Sequence, residues 1–407
     1  MNKKRYLYLA IGTIAMTVYG LMYCWTVFSP FVQTYLQVHV SKVSNIFSFC
    51  QIGFCLGGLF GGFTYYKLNY KISMVIASCM MFLGLYIASR ANSIMVIIIG
   101  FSVMYNFMAG FAYKTVLTAV LSWFRDKPGL ASGVIVMGAG LTAFMFNTPL
   151  SKMIQQTDWQ STMITLACIT GILSILSALF IKPQDKVVNK KSTTSETEQV
   201  TTQEMMKDSR FYVYFCWSVL LLAGCSSISG TAVNCGLSFG MNHTTAAKLT
   251  MIISLSNSLS RIFYGLAYDK FGRNTAMLIA TGSFSIAVFL LGIAFVSTSY
   301  LLLGIAFLFF GISFGGIPTI SSAYILTTFG SEYYPSNFSI QGLYSLFSPF
   351  LGTMVYSKLL VITTGGMLAY GYLPIYAVIT FVLLMVLNKI IEKRKNRKLS
   401  VRTQLAH

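Results

Sequence analysis

The sequence predicts an all-α polytopic membrane protein with twelve transmembrane helices in two six-helix bundles. Three observations carry that expectation. Hydrophobic residues make up 55% of the 407-residue chain and charged residues only 10%, with a mean hydropathy of +0.69. A soluble domain carries about 25% charged residues. Stretches such as 72–89, 277–297, 300–325 and 374–391 are apolar for most of their length, close to the roughly 20 residues that cross about 30 Å of hydrocarbon. One long polar segment near the middle divides the apolar runs into two sets.

The opening "MNKKRYLYLAIGTIAMTVYGLMYCWTVF" has a basic start, but its apolar run is too long for the core of a signal peptide, so it reads as the first span. Helices are expected near 6–28, 44–66, 72–89, 93–120, 128–150 and 161–182. The segment "PQDKVVNKKSTTSETEQVTTQEMMKDSR" then shows no apolar periodicity and reads as a cytoplasmic linker, disordered for most of its length. A second set follows near 211–235, 245–268, 274–297, 300–326, 336–361 and 370–391. The expected organisation is a first bundle over 1–182, a linker over 183–210, a second bundle over 211–391 and a basic tail over 392–407. Six spans plus six suggests duplication.

A formal charge of +19 would suggest nucleic acid in a soluble protein. Here the distribution speaks instead for topology. With the amino terminus inside, most of the Lys and Arg residues fall on one side, including Lys3, Lys4, Arg5 and the tail "EKRKNRK". Only Lys42, Arg90, Lys152, Lys248 and Lys358 face the other way. That bias fits the positive-inside rule, with both termini cytoplasmic and the tail against anionic lipid. Short loops and the absence of a presequence suggest the cell membrane, with the lipid bilayer as partner and no nucleic acid. The eight cysteines form no CxxC pair and read as small packing residues. No metal or cofactor is expected. With no HExxH, GxSxG, Walker motif or His/Asp/Cys cluster inside a span, an enzyme is not expected either.

The loops carry a repeat. "GFTYYKLNYK" at 62–71 follows the second span and "GLAYDKFGRN" at 265–274 follows the eighth, aligning Gly62 with Gly265 and Lys67 with Lys270, while Tyr66 stands where the second copy has Asp269. This pattern resembles the G-xxx-D-R/K-x-G-R loop signature of the major facilitator superfamily, intact once and eroded once. The resemblance implies that fold and alternating access, with Gly265, Asp269 and Arg273 as a conformational latch. The physics agrees: Gly265 admits a close neighbour, and a carboxylate beside a helix amino terminus is stabilised by unpaired N–H groups and the macrodipole. Gly53, Gly57 and Gly61, with Gly58 and Gly62, and later Gly311 and Gly315, recur every fourth residue. Such stripes let membrane helices pack backbone to backbone.

A narrower resemblance covers both halves. "SWFRDKPGLASGVIVMGAG" at 122–140, "YCWTVFSPF" at 23–31 and "SNSLSRIFYGLAYDKFGR" ending at Arg273 are similar to the oxalate:formate antiporter-like branch. The monocarboxylate carriers have a similar D-xxx-R-xxx-G, in which Asn257 here takes the acidic place. The resemblance implies that Arg261 meets a substrate carboxylate. One departure matters: the lysine that oxalate carriers of this branch keep in the eleventh span falls at about Ser345, and "NFSIQGLYSLFSPF" holds no charge. A monoanion is therefore expected rather than oxalate.

Residue chemistry points the same way. Arg261 lies about 12 Å inside the turn at 1.5 Å per residue, near the midplane of a roughly 30 Å core. A cation there costs about 2.5–3.5 kcal/mol unless it meets water or a partner. All ten acidic residues fall in loops or at the ends of the expected spans, which leaves two readings for Arg261: satisfaction by carbonyls and hydroxyls, or a substrate anion. Ser254, Asn257, Arg261 and Tyr264 share one helical face. Lys114 is a second intramembrane cation, with a stem long enough to snorkel part of the way to the cytoplasm. Asn337, Gln341, Tyr344, Ser345 and Ser348 form a polar stripe on the eleventh span that would be costly against lipid. Gln51, Tyr19 and Tyr23 are weaker candidates.

No acid is evident inside a span, and the three histidines (39, 243, 407) fall in loops or the tail. Exchange or uniport is expected before a dedicated proton relay. The expected function is a monomeric secondary transporter of a small organic anion. A multidrug-type exporter of amphiphiles and a transporter-like nutrient sensor are the alternatives.

Overall fold

The computed structural model describes residues 3–38, 40–184, 199–363 and 366–405; the middle of the expected linker, 185–198, lies outside the described residues. The described chain is helical from end to end. The helices are α1 (Lys3–Tyr19), α2 (Trp25–Leu36), α3 (Val40–Thr64), α4 (Tyr70–Ser89), α5 (Ile94–Ile97), α6 (Asn106–Leu121), α7 (Pro128–Gln156) and α8 (Trp159–Phe180). After them come α9 (Thr202–Met205), α10 (Ser209–Ser238), α11 (His243–Ser297), α12 (Tyr300–Phe329), α13 (Tyr334–Gln341), α14 (Tyr344–Thr363) and α15 (Leu373–Leu405).

Eleven helical stretches among the described residues are long and apolar enough to cross a membrane. One of them, Met251–Ser297, has 47 residues, about 70 Å at 1.5 Å per residue and twice the hydrocarbon thickness. It carries the expected eighth and ninth spans, and Gly272 at φ 81° and ψ 176° is the one non-helical residue inside α11. The loop expected at 265–274 is thus a single-residue turn. A left-handed φ is strained for any side chain, which is why a glycine stands there.

Three other spans are less regular than their apolar runs suggest. The first passes from α1 to α2 through a 3-10 turn, Leu21–Cys24. The fourth joins α5 to α6 through a π-helical stretch, Ile98–Tyr105. There the Phe101 carbonyl accepts both the backbone N–H of Asn106 and, at 2.8 Å, its side-chain amide. The eleventh breaks into α13 and α14 at Gly342 and Leu343.

The chain forms two compact units. The first takes in Met1–Gln199 together with Arg261–Leu266 and Ser322–Leu346. In it α4 packs on α8, α3 on α6 and α1 on α7. The predicted glycine stripe is the α3–α6 contact. A Cβ at Gly57 would run into the Phe107 carbonyl, and one at Gly61 would lie 2.9 Å from the carbonyl of Phe111. At the linker end of this unit, the Trp123 indole donates to Lys182 O at 2.7 Å, and Arg5 pairs with Asp126 at 2.9 Å.

The second unit takes in Val200–Ser260, Ala267–Ser321 and Phe347–His407. In it α10 packs on α15, and the buried Trp217 indole of α10 donates to Thr281 Oγ1 at 3.0 Å. Asp208 caps α10, accepting from the Arg210 N–H at 2.8 Å, and one of its oxygens takes Arg210 at 2.6 Å and Arg394 at 2.8 Å. Burial alone would raise the Asp208 carboxyl. Hydrogen bonds from Arg210 and the charges of Arg210 and Arg394 outweigh it, leaving the group below its ordinary value.

A carboxyl depressed on folding contributes stability that is complete above its unfolded pKa of about 3.9 and is lost as pH falls through the folded value. Asp208→Asn should therefore melt below wild type at pH 6–7. The gap should close as the pH is lowered past the carboxylate range. Thermal melts of both proteins in detergent across that range check it; a gap independent of pH assigns Asp208 to packing alone.

Candidate functional site

The first unit brings both intramembrane cations together. Arg261 is 7% exposed, and its Nη1 donates to the Val136 carbonyl of α7 at 2.6 Å. It reaches a main-chain carbonyl because α7 and α11 cross with almost nothing between them. A Cβ at Gly133 would strike the Arg261 carbonyl, and one at Gly265 would strike the Gly129 carbonyl. The two contacts are spaced four residues apart on each helix, and each has a glycine on at least one side: Gly133 against Arg261, and Gly265 against Gly129. Tyr23 and Tyr113 lie near enough to feel the Arg261 charge.

Lys114 is 9% exposed, its stem and ammonium enclosed by the protein. Its ammonium donates to the Phe338 carbonyl of α13 at 3.1 Å and sits 3.3 Å from the centroid of the Phe338 ring. A desolvated contact of that kind contributes about 2 kcal/mol. Three N–H groups are available on the ammonium, and Lys114 is in no ion pair among the described residues.

On the far side of the α13–α14 break, Gln51 Nε2 donates to Ser345 O at 3.3 Å. Cys55 Sγ lies 3.3 Å from Ser345 Oγ, which in turn donates to Gly342 O at 2.8 Å. Cys55, Ser339, Phe338 and Gly342 belong to this cluster, and sequence reasoning passed over all four. The Gly58–Gly62 stripe was the visible signal: Ser339 Oγ donates to Gly58 O at 2.9 Å and Ser336 Oγ to Gly62 O at 3.3 Å, so α13 lies on that stripe.

The remaining expected residues fall as follows. Gln341 and Asn337 are fully buried and Tyr344 is 7% exposed, all in the first unit. Tyr23 is 40% exposed, whereas Tyr19 is buried with its hydroxyl 3.3 Å from Ser177 Oγ; Tyr19 is a packing residue. Asn257, one turn before Arg261, belongs to the second unit, where its carbonyl faces Gly315 of α12. Ser348 is buried in the second unit.

Of the expected latch, Gly265 forms the crossing with α7 described above. Arg273 turns to Asn274 and donates to Asn388 Oδ1 of α15 at 3.0 Å. Asp269 is half-buried in the second unit. In the eroded first copy, the Tyr66 hydroxyl donates to Ser331 O at 3.4 Å. Burial, offset in part by Arg125, pushes the Tyr66 phenol above its ordinary value, so it remains a donor. Among the described residues no group of three or more His, Cys, Asp or Glu side chains has the arrangement of a metal site.

Comparison with known proteins places this geometry. The sequence profile of the Major Facilitator Superfamily matches residues 9–353. The oxalate:formate antiporter of Oxalobacter formigenes is 25% identical over 364 residues, covering 87% of this chain and 85% of that one. Monocarboxylate transporter 12 of Xenopus laevis is 26% identical over 267 residues, covering 60% of this chain and 54% of that one. Among solved structures, the proton:xylose symporter XylE bound to 6-bromo-6-deoxy-D-glucose superposes with a TM-score of 0.70 at 14% identity, covering 95% of this chain and 96% of that one. FucP, solved in its outward conformation, gives 0.67 at 13% identity over 95% of this chain and 99% of that one. A profile match over most of the length, on a fold that these structures share, means that the chain belongs to the Major Facilitator Superfamily of membrane transporters.

Proposed function

We propose that this protein is a secondary active transporter of a small organic anion, a monocarboxylate or related carboxylate, working by exchange or uniport through alternating access. The observation that carries the reading is Arg261: a guanidinium buried in a membrane span, held to the neutral carbonyl of Val136. A carboxylate offers the same N–H groups two charged acceptors in a matching plane, and such bidentate pairs are roughly twice as strong as neutral ones. In this reading the substrate carboxylate takes the guanidinium from Val136. Lys114 adds positive potential from α6. Asn257, Gln341, Tyr344, Ser345, Tyr23 and Gln51 set orientation by hydrogen bonds. The relatives named for oxalate, formate and monocarboxylate transport, 25–26% identical, support the substrate class.

The proposal extends to organisation. The chain works as a monomer in the cell membrane with both termini cytoplasmic, as two six-helix bundles over 1–182 and 211–391 joined by the linker 183–210 and followed by the basic tail 392–407. The latch of Gly265, Asp269 and Arg273 keeps the linker end shut while the opposite end is open.

Counterflow in proteoliposomes against formate, lactate, pyruvate, oxalate and succinate tests the reading. Monocarboxylates should be carried. Arg261→Gln should raise KM by about 30-fold or more, since losing one partner of a buried charged pair costs 2–5 kcal/mol and about 1.4 kcal/mol is a factor of ten. If anions are ignored, or Arg261→Gln carries them as wild type does, the anion reading fails. Uptake of amphiphilic cations unaffected by the substitution would instead favour the multidrug alternative.

The latch has its own test. Gly265→Leu places a side chain against Gly129, where even a Cβ collides with the carbonyl. Exchange turnover should fall by at least about fivefold, taking 1–3 kcal/mol as the cost of overpacking. Equilibrium substrate binding, which depends on the same crossing through Arg261, should weaken by less than turnover does. Equal loss of binding and turnover would mean general misfolding rather than a latch.

A further inference from the structure

The break in the eleventh span is held from both sides by side chains of other helices. Before it, Lys114 of α6 donates to Phe338 O; after it, Gln51 of α3 donates to Ser345 O, with Cys55 on the Ser345 hydroxyl. The break itself is tightly wound: Leu343 N–H goes to Ile340 O at 3.1 Å, and Ser345 N–H to Gly342 O at 3.1 Å. A helix interrupted inside a membrane persists where neighbouring side chains hold its backbone. Phe338 O already accepts the Gly342 N–H at 2.9 Å, so Lys114 is a second donor to it, whereas Ser345 O can receive no N–H from Pro349 and takes Gln51 instead. These side chains tie α13 and the first residues of α14 to α6 and α3.

The route of Lys114 to that point is carved by two glycines. A Cβ at Gly58 would lie 3.3 Å from Lys114 Cγ, and one at Gly342 would lie 2.8 Å from Nζ. Gly58 makes room for the stem and Gly342 for the head. The ammonium therefore reaches the backbone of α13 by a dedicated lane, yet what it finds there is a neutral carbonyl and a ring face. A charged acceptor outcompetes both.

We propose that Lys114 is a positioning residue for the eleventh span: it staples the break while the carrier is empty and leaves Phe338 O for the substrate anion, so that only an anionic substrate loosens the α13–α14 hinge. This rests on the anion-transport reading above and adds to it a reason why the empty carrier would resist reorientation. Charge, not size, becomes the property the hinge responds to, because a neutral or cationic solute cannot draw an ammonium off a carbonyl.

Two substitutions separate the staple from simple attraction. Lys114→Met removes charge and staple together. Gly342→Ala keeps the charge but puts a methyl 2.8 Å from the present place of Nζ, too close for both, so that the ammonium must shift relative to Phe338 O. In proteoliposomes, the ratio of net efflux (which needs the empty carrier to return) to exchange (which does not) should rise at least about tenfold in both variants, with labelled lactate and formate as probes. Alkylation of Cys55 by N-ethylmaleimide without substrate, followed by site-resolved mass spectrometry, should accelerate at least about fivefold in both, since the thiol is 8% exposed beside the break.

A raised ratio in Lys114→Met with Gly342→Ala like wild type would assign Lys114 to substrate attraction only and overturn the hinge. Unchanged ratios, or alkylation that rises while the ratios stay put, would overturn it too. If none of the anions is carried, the transport reading fails on its own, and unchanged Cys55 alkylation then overturns the staple as well.

Discussion

A bilayer core offers no hydrogen bonds, and that constraint orders everything else in this molecule. Each main-chain group that leaves the regular helix pattern inside a span has to be met by another part of the protein. Where the fourth span widens to a π register, its end at Phe101 O takes both the main-chain N–H and the side-chain amide of Asn106. The eleventh span breaks where Lys114 and Gln51 stand on either side of the interruption. Irregularity in a span and a side chain bonded to its backbone therefore occur together at both places. Elsewhere the same constraint produces plain, close-packed helices with glycine at the contacts, as at Gly57 and Phe107.

The two cations answer the constraint differently, and the difference is chemical. Arg261 presents a rigid planar fork, and its reach to Val136 O depends on the α7–α11 crossing. Lys114 presents a point charge on a flexible stem, and its reach depends on a lane between Gly58 and Gly342. A fork suits fixed, directional recognition of a carboxylate. A tethered point charge suits release and return. In the proposed function the first residue reads the geometry of a substrate and the second responds to its charge, and both belong to the same compact unit.

Much of this was legible in the chain because membrane solvation writes itself into composition. Long apolar runs gave the spans, and the Gly53–Gly57–Gly61 stripe gave a helix contact. The "GLAYDKFGRN" repeat located the single-residue turn at Gly272, although the tightness of that turn needed the backbone to show it. Arg261 was readable because an arginine is conspicuous in hydrocarbon. The eleventh-span break was not, since "SIQGLYS" contains one ordinary glycine and no proline. Pro349, four residues past Ser345, does free the Ser345 carbonyl, but the donor that meets it, Gln51, is 294 positions away in sequence. Cys55 was dismissed for a sound reason, as cysteines in spans are usually packing. Its place beside Ser345 comes from the α3–α13 seam and not from its neighbours in the chain. Tyr19 and Tyr23, alike in sequence, part company because a 3-10 turn lies between α1 and α2, leaving one hydroxyl on Ser177 and the other side chain 40% exposed.

The missing charge of the eleventh span takes on a different meaning in this light. The segment itself is uncharged, and the position near Ser345, where the oxalate-type relatives are expected to carry lysine, holds a hydroxyl. Yet an ammonium does reach that span, delivered from α6 to Phe338 O, one turn before the break. Counting charges along a helix therefore undercounts the charge at it. The two arrangements are not equivalent, however. A lysine rooted in the eleventh span must travel with that span, so its attraction for an anion is carried through every conformation. A lysine rooted in α6 can part from the span when a better acceptor arrives, and the span then loses a constraint at the moment the anion gains a contact. Under the proposed staple, moving the cation from one helix to its neighbour converts a permanent feature of the binding site into one that couples binding to the shape of the backbone.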